Sequence, residues 1–232
     1  MNYSSLKQEV WRTNLALKKN NLIILTWGNA SAADHVAGVM AIKPSGVDYN
    51  ILKSSEIVVL SLKTGEIIEG SLHPSSDTPT HLALYQAFPE IGAIIHTHSP
   101  CAASWAQAGR EIPCLGTTHA DNFYGNIPVT RPLTTDEINT AYEENTGKVI
   151  VEHFKKLSID PLQIPAILVP HHGPFVWGDC SEKALENSIV LEEIAKTAIQ
   201  TFVINSNASP LPKVLLDKHF LRKHGEGAYY GQ

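Results

Sequence analysis

The fold of this chain is restricted most by a succession of short β-rich runs. Val39-Met40-Ala41-Ile42, Ile57-Val58-Val59-Leu60 and Gly65-Glu66-Ile67-Ile68 follow one another across Pro-Ser-Gly and Lys-Thr-Gly turn signals. Strands joined by short turns pair antiparallel, because a parallel partner needs a crossover of about a dozen residues or more. Further strands are expected over 91–98, 166–169 and 175–177, the last two joined by His171-His172-Gly173-Pro174. Helices are expected over residues 4–19, over 80–88 between Pro79 and Pro89, over 102–108, and over 136–157, where Gly147 weakens the pattern. Two more are expected from Ser181, read as a cap, to Ile204 and from Val214 to Lys223. The helices are too few for regular βαβ alternation, which points to an α/β domain with α/β/α layering about a largely antiparallel sheet. No internal repeat or low-complexity linker divides residues 1–232, so a single domain is expected.

With 232 residues, 43% of them hydrophobic, the chain can stabilise a core without disulfides or a structural metal. A metal, if used, is therefore functional. Eighteen Lys and Arg against 23 Asp and Glu, with no basic run beyond Lys18-Lys19, exclude an electrostatic grip on nucleic acid. The cysteines Cys101, Cys114 and Cys180 form no C-x-x-C pair and read as inert thiols in a reducing compartment. The N-terminal segment carries no apolar stretch of a leader, and no run approaches the ~20 apolar residues of a membrane span. A cytoplasmic protein without membrane partners is expected.

The sharpest chemical signal is His96-Thr97-His98 at the end of an apolar run. Residues two apart on a strand share a face, so both imidazoles can reach one ion. A third histidine from the His171-His172 turn and the carboxylate of Asp77 would give an open, catalytic type of divalent site. Spacing leaves His171 and His172 as alternatives. A second cluster is small and polar: Gly28-Asn29, Lys43-Pro44-Ser45-Gly46 and Ser75-Ser76. The serines precede a helix, whose N-terminus favours anions, so the group suits a phosphate.

The motifs Thr26-Trp27-Gly28-Asn29, Ile42-Lys43-Pro44-Ser45-Gly46-Val47, Pro74-Ser75-Ser76-Asp77-Thr78-Pro79-Thr80-His81, His96-Thr97-His98-Ser99, Gly116-Thr117-Thr118-His119-Ala120-Asp121, His172-Gly173-Pro174-Phe175, Arg222-Lys223-His224-Gly225 and Ala228-Tyr229-Tyr230-Gly231-Gln232 run in order along the chain. Together they resemble the sugar-phosphate epimerases of the class II aldolase/adducin-like family. The resemblance implies a three-layer α/β/α domain in a homotetramer with active sites between subunits. It makes His96, His98, His172 and Asp77 the ligands of zinc or another divalent ion. It assigns Gly28, Asn29, Lys43, Ser45, Gly46, Ser75 and Ser76 to the substrate phosphate. Asp121 and Tyr230 would transfer protons, with Thr117 and His219 lining the site. Tyr230, close to the C-terminus, is expected to act across a subunit interface from Asp121.

The implied reaction is inversion at C4 of a ketopentose 5-phosphate. That carbon bears no acidic proton, because its neighbour C3 is not a carbonyl, so C3–C4 must break and re-form. Anchoring the phosphate lets the aldehyde fragment rotate without leaving. The rivals are a class II aldolase, whose family members usually carry Glu where this chain has Asp77, and an adducin-like binding module, which would be expected to lose the histidines. Of the remaining candidates, His81 and His119 are expected to make structural hydrogen bonds, and His35, His73 and His153 to have no role. Glu143 is expected as an exposed helix acid, and Trp27 and Trp177 as packing residues.

Overall fold

The computed structural model describes residues 3–225 and 227–230, so Gly231 and Gln232 of the terminal motif lie outside the described residues. The chain opens with α1 (Ser4–Lys19), followed by β1 (Asn29–Asp34), β2 (Val39–Ile42), a single 3-10 turn, β3 (Val58–Ser61) and β4 (Ile67–Glu69). Next come α2 (Thr78–Ala87), β5 (Ala93–His96), α3 (Pro100–Gln107), the one-turn α4 (Thr117–Ala120) and α5 (Thr135–Leu157). The strands β6 (Ala166–Val169) and β7 (Gly173–Gly178) and the helices α6 (Ser181–Ile204) and α7 (Lys213–His224) complete it. The strands form one sheet in the order β4-β3-β2-β1-β5-β7-β6. Every neighbouring pair is antiparallel, as the short turns dictate.

Alternation along the strands explains the layers. Met40, Ile42, Ile94, Ile167, Phe175 and Trp177 pack with Leu84 of α2 and with Ile150 and Phe154 of α5. The intervening Val39, Ala41, Ala93 and Ile95 pack instead with Val10 and Leu17 of α1 and Ala184 of α6. Further along, Ala166, Leu168 and Val176 meet α3 and the later turns of α6. Both faces of β2, β5, β6 and β7 are thus buried, which is why these strands read as continuous apolar runs.

Several local expectations are corrected. Gly147 does not weaken α5: a Cβ there would lie 2.7 Å from the Ala83 Cβ and 3.1 Å from the Thr80 Cα, so the glycine lets α5 lie tightly on α2. The break falls instead at Ala141, whose backbone is non-helical. Ser181 is the first helical residue rather than the cap, and its hydroxyl donates to Glu9 Oε1 at 2.6 Å. The strand expected over 91–98 ends at His96. The alanine-rich β1 and the single turn of α4 carry little propensity signal and have no counterpart among the expected elements.

Candidate active site

The central strands β1, β5 and β7 end side by side, with Asn29 opposite His96 and His96 opposite Phe175. Gly28 precedes β1 at φ +97°, and a Cβ there would meet the His96 carbonyl oxygen at 2.6 Å. Only glycine fits that close approach. The ends of these strands, the turn before β7 and the loops after β2 and before α2 enclose a cavity of about 360 Å³.

Three imidazoles converge on it. His96, His98 and His172 place one ring nitrogen each within 4.8 Å of the others. The Nε2 atoms of His96 and His98 are 3.0 Å apart, close enough to share one proton or one cation. The strand argument holds for His96 alone, since His98 lies beyond the strand end, yet the two rings still meet. His96 Nδ1 donates to the Pro174 carbonyl at 2.9 Å, which turns Nε2 inward, and Phe175 stacks on the ring with centroids 4.3 Å apart. Burial pushes the pKa of His96 down to about 3 and lowers those of His98 and His172. Neutral imidazoles held together are the form that ligates a metal. Between the two histidines of the turn the geometry is decisive. His171 sits at φ +62° and is exposed, which swings His172 into the cavity.

Asp77, at the N-cap of α2, also lines this cavity. Its Oδ2 accepts from Asn29 Nδ2 at 2.7 Å, and its charge acts on both His98 and His172 to oppose the lowering of their pKa values. The three neutral nitrogens facing an open cavity fit a divalent ion of the zinc type, and Asp77 lines the same cavity without joining the group of ligand atoms within 4.8 Å of one another.

The polar loops form the opposite wall. Ser75 N donates to the Lys43 carbonyl at 3.0 Å and Ser45 N to the His73 carbonyl at 2.9 Å, so the two loops are clipped together. Asn29 Nδ2 also donates to Ser75 Oγ at 3.0 Å. Gly28, Lys43, Ser45, Gly46, Ser75 and Ser76 all line the cavity. Lys43 is almost fully buried, and its ammonium donates to the Pro44 carbonyl at 3.2 Å and lies 4.7 Å from the Tyr49 ring centroid. Burial lowers its pKa to about 8, against the opposing effect of Asp48. A buried cation with such weak partners beside a helix N-terminus is suited to a phosphate.

The cavity holds more than the sequence suggested. Glu143 and Tyr142 line it, because the break at Ala141 turns the following residues of α5 inward, so Glu143 is not the exposed acid expected. Trp27 is 52% exposed at the rim, 6.3 Å from the His98 ring centroid, and does not pack in the core, whereas Trp177 does. His81 is wholly buried and shares a bond of 2.7 Å with Ser31 Oγ, which in turn meets the Tyr85 hydroxyl at 2.8 Å. His119 bonds to the Gly125 carbonyl at 2.8 Å. Both have the structural bonds expected of them.

Thr117, Asp121, His219 and Tyr230 stand outside this cavity, on α4 and about α7. Asp121 is held there by Arg222 through bonds of 3.0 and 2.8 Å and by His219 at 3.1 Å. Burial would raise its pKa, but the Arg222 and His219 partners outweigh that and hold it below the usual carboxylate range. The Arg222 guanidinium lies 4.1 Å from the Tyr230 ring centroid. Within one chain, Arg222 thus touches both the Asp121 carboxylate and the Tyr230 ring.

The antiparallel α/β/α fold and the histidine site define a class: residues 8–199 match the class II aldolase and adducin N-terminal domain, and the chain belongs to that family. Among its relatives are the L-ribulose-5-phosphate 4-epimerases UlaF of Salmonella paratyphi C, 50% identical, and of Salmonella typhi, 49% identical, each over 98% of both chains. A solved L-fuculose 1-phosphate aldolase shares the fold with a TM-score of 0.78 and 26% identity, over 94% of this chain and 96% of that one. The L-fuculose-1-phosphate aldolase of Thermus thermophilus, at 22% identity and a TM-score of 0.69 over 89% of this chain and 98% of that one, shows the same fold.

Proposed function

We propose that this protein is an L-ribulose-5-phosphate 4-epimerase that interconverts L-ribulose 5-phosphate and D-xylulose 5-phosphate by breaking and remaking C3–C4. The observation that carries the reading is the meeting of His96, His98, His172 and Asp77 with the buried Lys43 and Asn29 in one cavity. It is joined by near-full-length identity of about half to relatives bearing that name.

A divalent ion, zinc by the preference of a histidine-rich donor set, supplies electrophilic stabilisation for the negative charge that bond cleavage leaves on the three-carbon fragment. Other divalent ions fit the same donors. The protein's own groups do the rest. Lys43, Asn29, Ser75, Ser76 and the Ser45-Gly46 turn hold the phosphate. With that end fixed, glycolaldehyde phosphate can turn its aldehyde over without escaping. Asn29 bridges Ser75 and Asp77, so phosphate grip and metal-site geometry are coupled through one amide.

The C4 oxygen must lose a proton in one epimer and regain one in the other. Asp121, kept ionised by Arg222, is the acceptor, and Tyr230 the donor on the other face, with Thr117 and His219 beside them. All four lie outside the cavity of their own chain, so the reading requires a neighbouring subunit to bring them to it, in a homotetramer. The free Cys101, Cys114 and Cys180 support a cytoplasmic setting. No helix among the described residues is long and apolar enough to cross a membrane.

The test is incubation of the purified protein with L-ribulose 5-phosphate, following D-xylulose 5-phosphate with an enzyme-coupled assay. Chelation should abolish its formation and zinc restore it. Release of glycolaldehyde phosphate without epimer would assign the aldolase reading instead.

A further inference from the structure

The break in α5 is built rather than accidental. At Ala141 the backbone leaves the helix, and Asn145 Nδ2 donates to the Glu137 carbonyl at 2.9 Å, capping a carbonyl that the interrupted ladder would serve. On the far side of the break, Thr146 Oγ1 donates to the Tyr142 carbonyl at 2.8 Å, and Thr80 Oγ1 on α2 donates to the Glu143 carbonyl. The residue fixed by these bonds is Tyr142, whose hydroxyl lies 3.2 Å from His172 Nδ1.

We infer that Tyr142 is a positioning residue for the metal centre, holding His172 in the ring orientation and tautomer that present Nε2 to the ion. The inference rests on the metal reading of the site. His172 comes from the short turn before β7, and its Nδ1 lies within hydrogen-bond reach of the Tyr142 hydroxyl. His96 has such a fixed partner in the Pro174 carbonyl. Tyr142 supplies the equivalent for His172: with Nε2 free to ligate, Nδ1 carries the proton and donates it to the Tyr142 hydroxyl oxygen. Partners of this kind orient the ligand and raise its basicity.

The experiment compares Tyr142→Phe and His172→Asn with the parent protein. Zinc affinity is measured by competition with a chromophoric chelator, and the ligand field by the visible absorption of the cobalt(II)-loaded proteins. Tyr142→Phe should weaken zinc by roughly 10- to 100-fold and alter the cobalt spectrum, while circular dichroism stays native. At saturating zinc its kcat should return to within a few-fold of the parent's, because the hydroxyl acts through His172 and not on substrate. Zinc affinity within about twofold of the parent and a superimposable cobalt spectrum would overturn the inference, as would a kcat that stays low at saturating metal with affinity unchanged. If His172→Asn also leaves zinc affinity unmoved, the metal reading itself fails. If His172→Asn loses zinc and Tyr142→Phe does not, only the role of Tyr142 fails.

Discussion

Because the cavity and the Asp121 cluster occupy different parts of one chain, mixing defective subunits reveals which groups work together. Lys43→Met disables the cavity, and Asp121→Asn disables the cluster on α4 and α7. Each homotetramer should turn over at a small fraction of the parent rate, with Asp121→Asn lowering kcat by roughly 10²- to 10⁴-fold. If every active site joins the cavity of one subunit to the cluster of its neighbour, an equal, random mixture has a calculable outcome. A site needs its cavity from an Asp121→Asn chain and its cluster from a Lys43→Met chain, each with a chance of one half. Roughly one quarter of the sites are then intact, so about a quarter of parent activity should return. Subunit exchange is verified by native mass spectrometry and activity read by the coupled assay. Failure of this pair to recover after complete exchange would refute the shared-site geometry.

Three further outcomes follow from particular residues. Lys43, with its pKa near 8, must be protonated to hold phosphate, so KM should rise up to about tenfold per pH unit above that value while kcat moves less. A KM that stays flat up to about pH 9.5 would remove Lys43 from the anion site. Gly28→Ala forces a Cβ to within 2.6 Å of the His96 carbonyl oxygen and should reduce zinc content. It should also destabilise the fold by about 1–3 kcal/mol in urea titration. His81 and His119, buried with pKa values pushed down to about 3 and about 4, stay neutral in the fold, whereas the unfolded chain takes up their protons below its ordinary pKa. Their contribution is thus present above about pH 6.5 and lost on acidification, by up to about 1.4 kcal/mol per pH unit for each histidine, which denaturation at successive pH values measures.

The residues that the sequence exposed most clearly were those whose chemistry is local. His96 and His98 are close neighbours in the chain, and Lys43-Pro44-Ser45-Gly46 and Ser75-Ser76 are punctuated loops, so their types and spacing already suggested a metal and an anion. Long-range packing was less legible. Gly147 reads as a helix weakness in one dimension and becomes the contact point between α2 and α5 in three. Tyr142 and Glu143 enter the cavity through a break at Ala141, a residue with no helix-breaking tendency of its own. The capping box of Thr134 and Glu137 was an available signal for the start of α5. The choice of His172 over His171 depends on a left-handed turn that a non-glycine residue gives no warning of. Strand β1, with its alanines, is a strand because β2 and β5 flank it, not because its residues prefer to be.

The most direct measurement runs the reaction in heavy water to equilibrium and reads the product by proton and carbon NMR. Breaking and remaking C3–C4 leaves the hydrogens on C3 and C4 in place, so D-xylulose 5-phosphate should accumulate with no deuterium at either carbon. Its formation should depend on the metal and on Lys43. Solvent deuterium at C4 of the epimerised product would show inversion by proton removal at that carbon and would contradict the mechanism proposed for His96, His98, His172, Asp77 and their phosphate cradle.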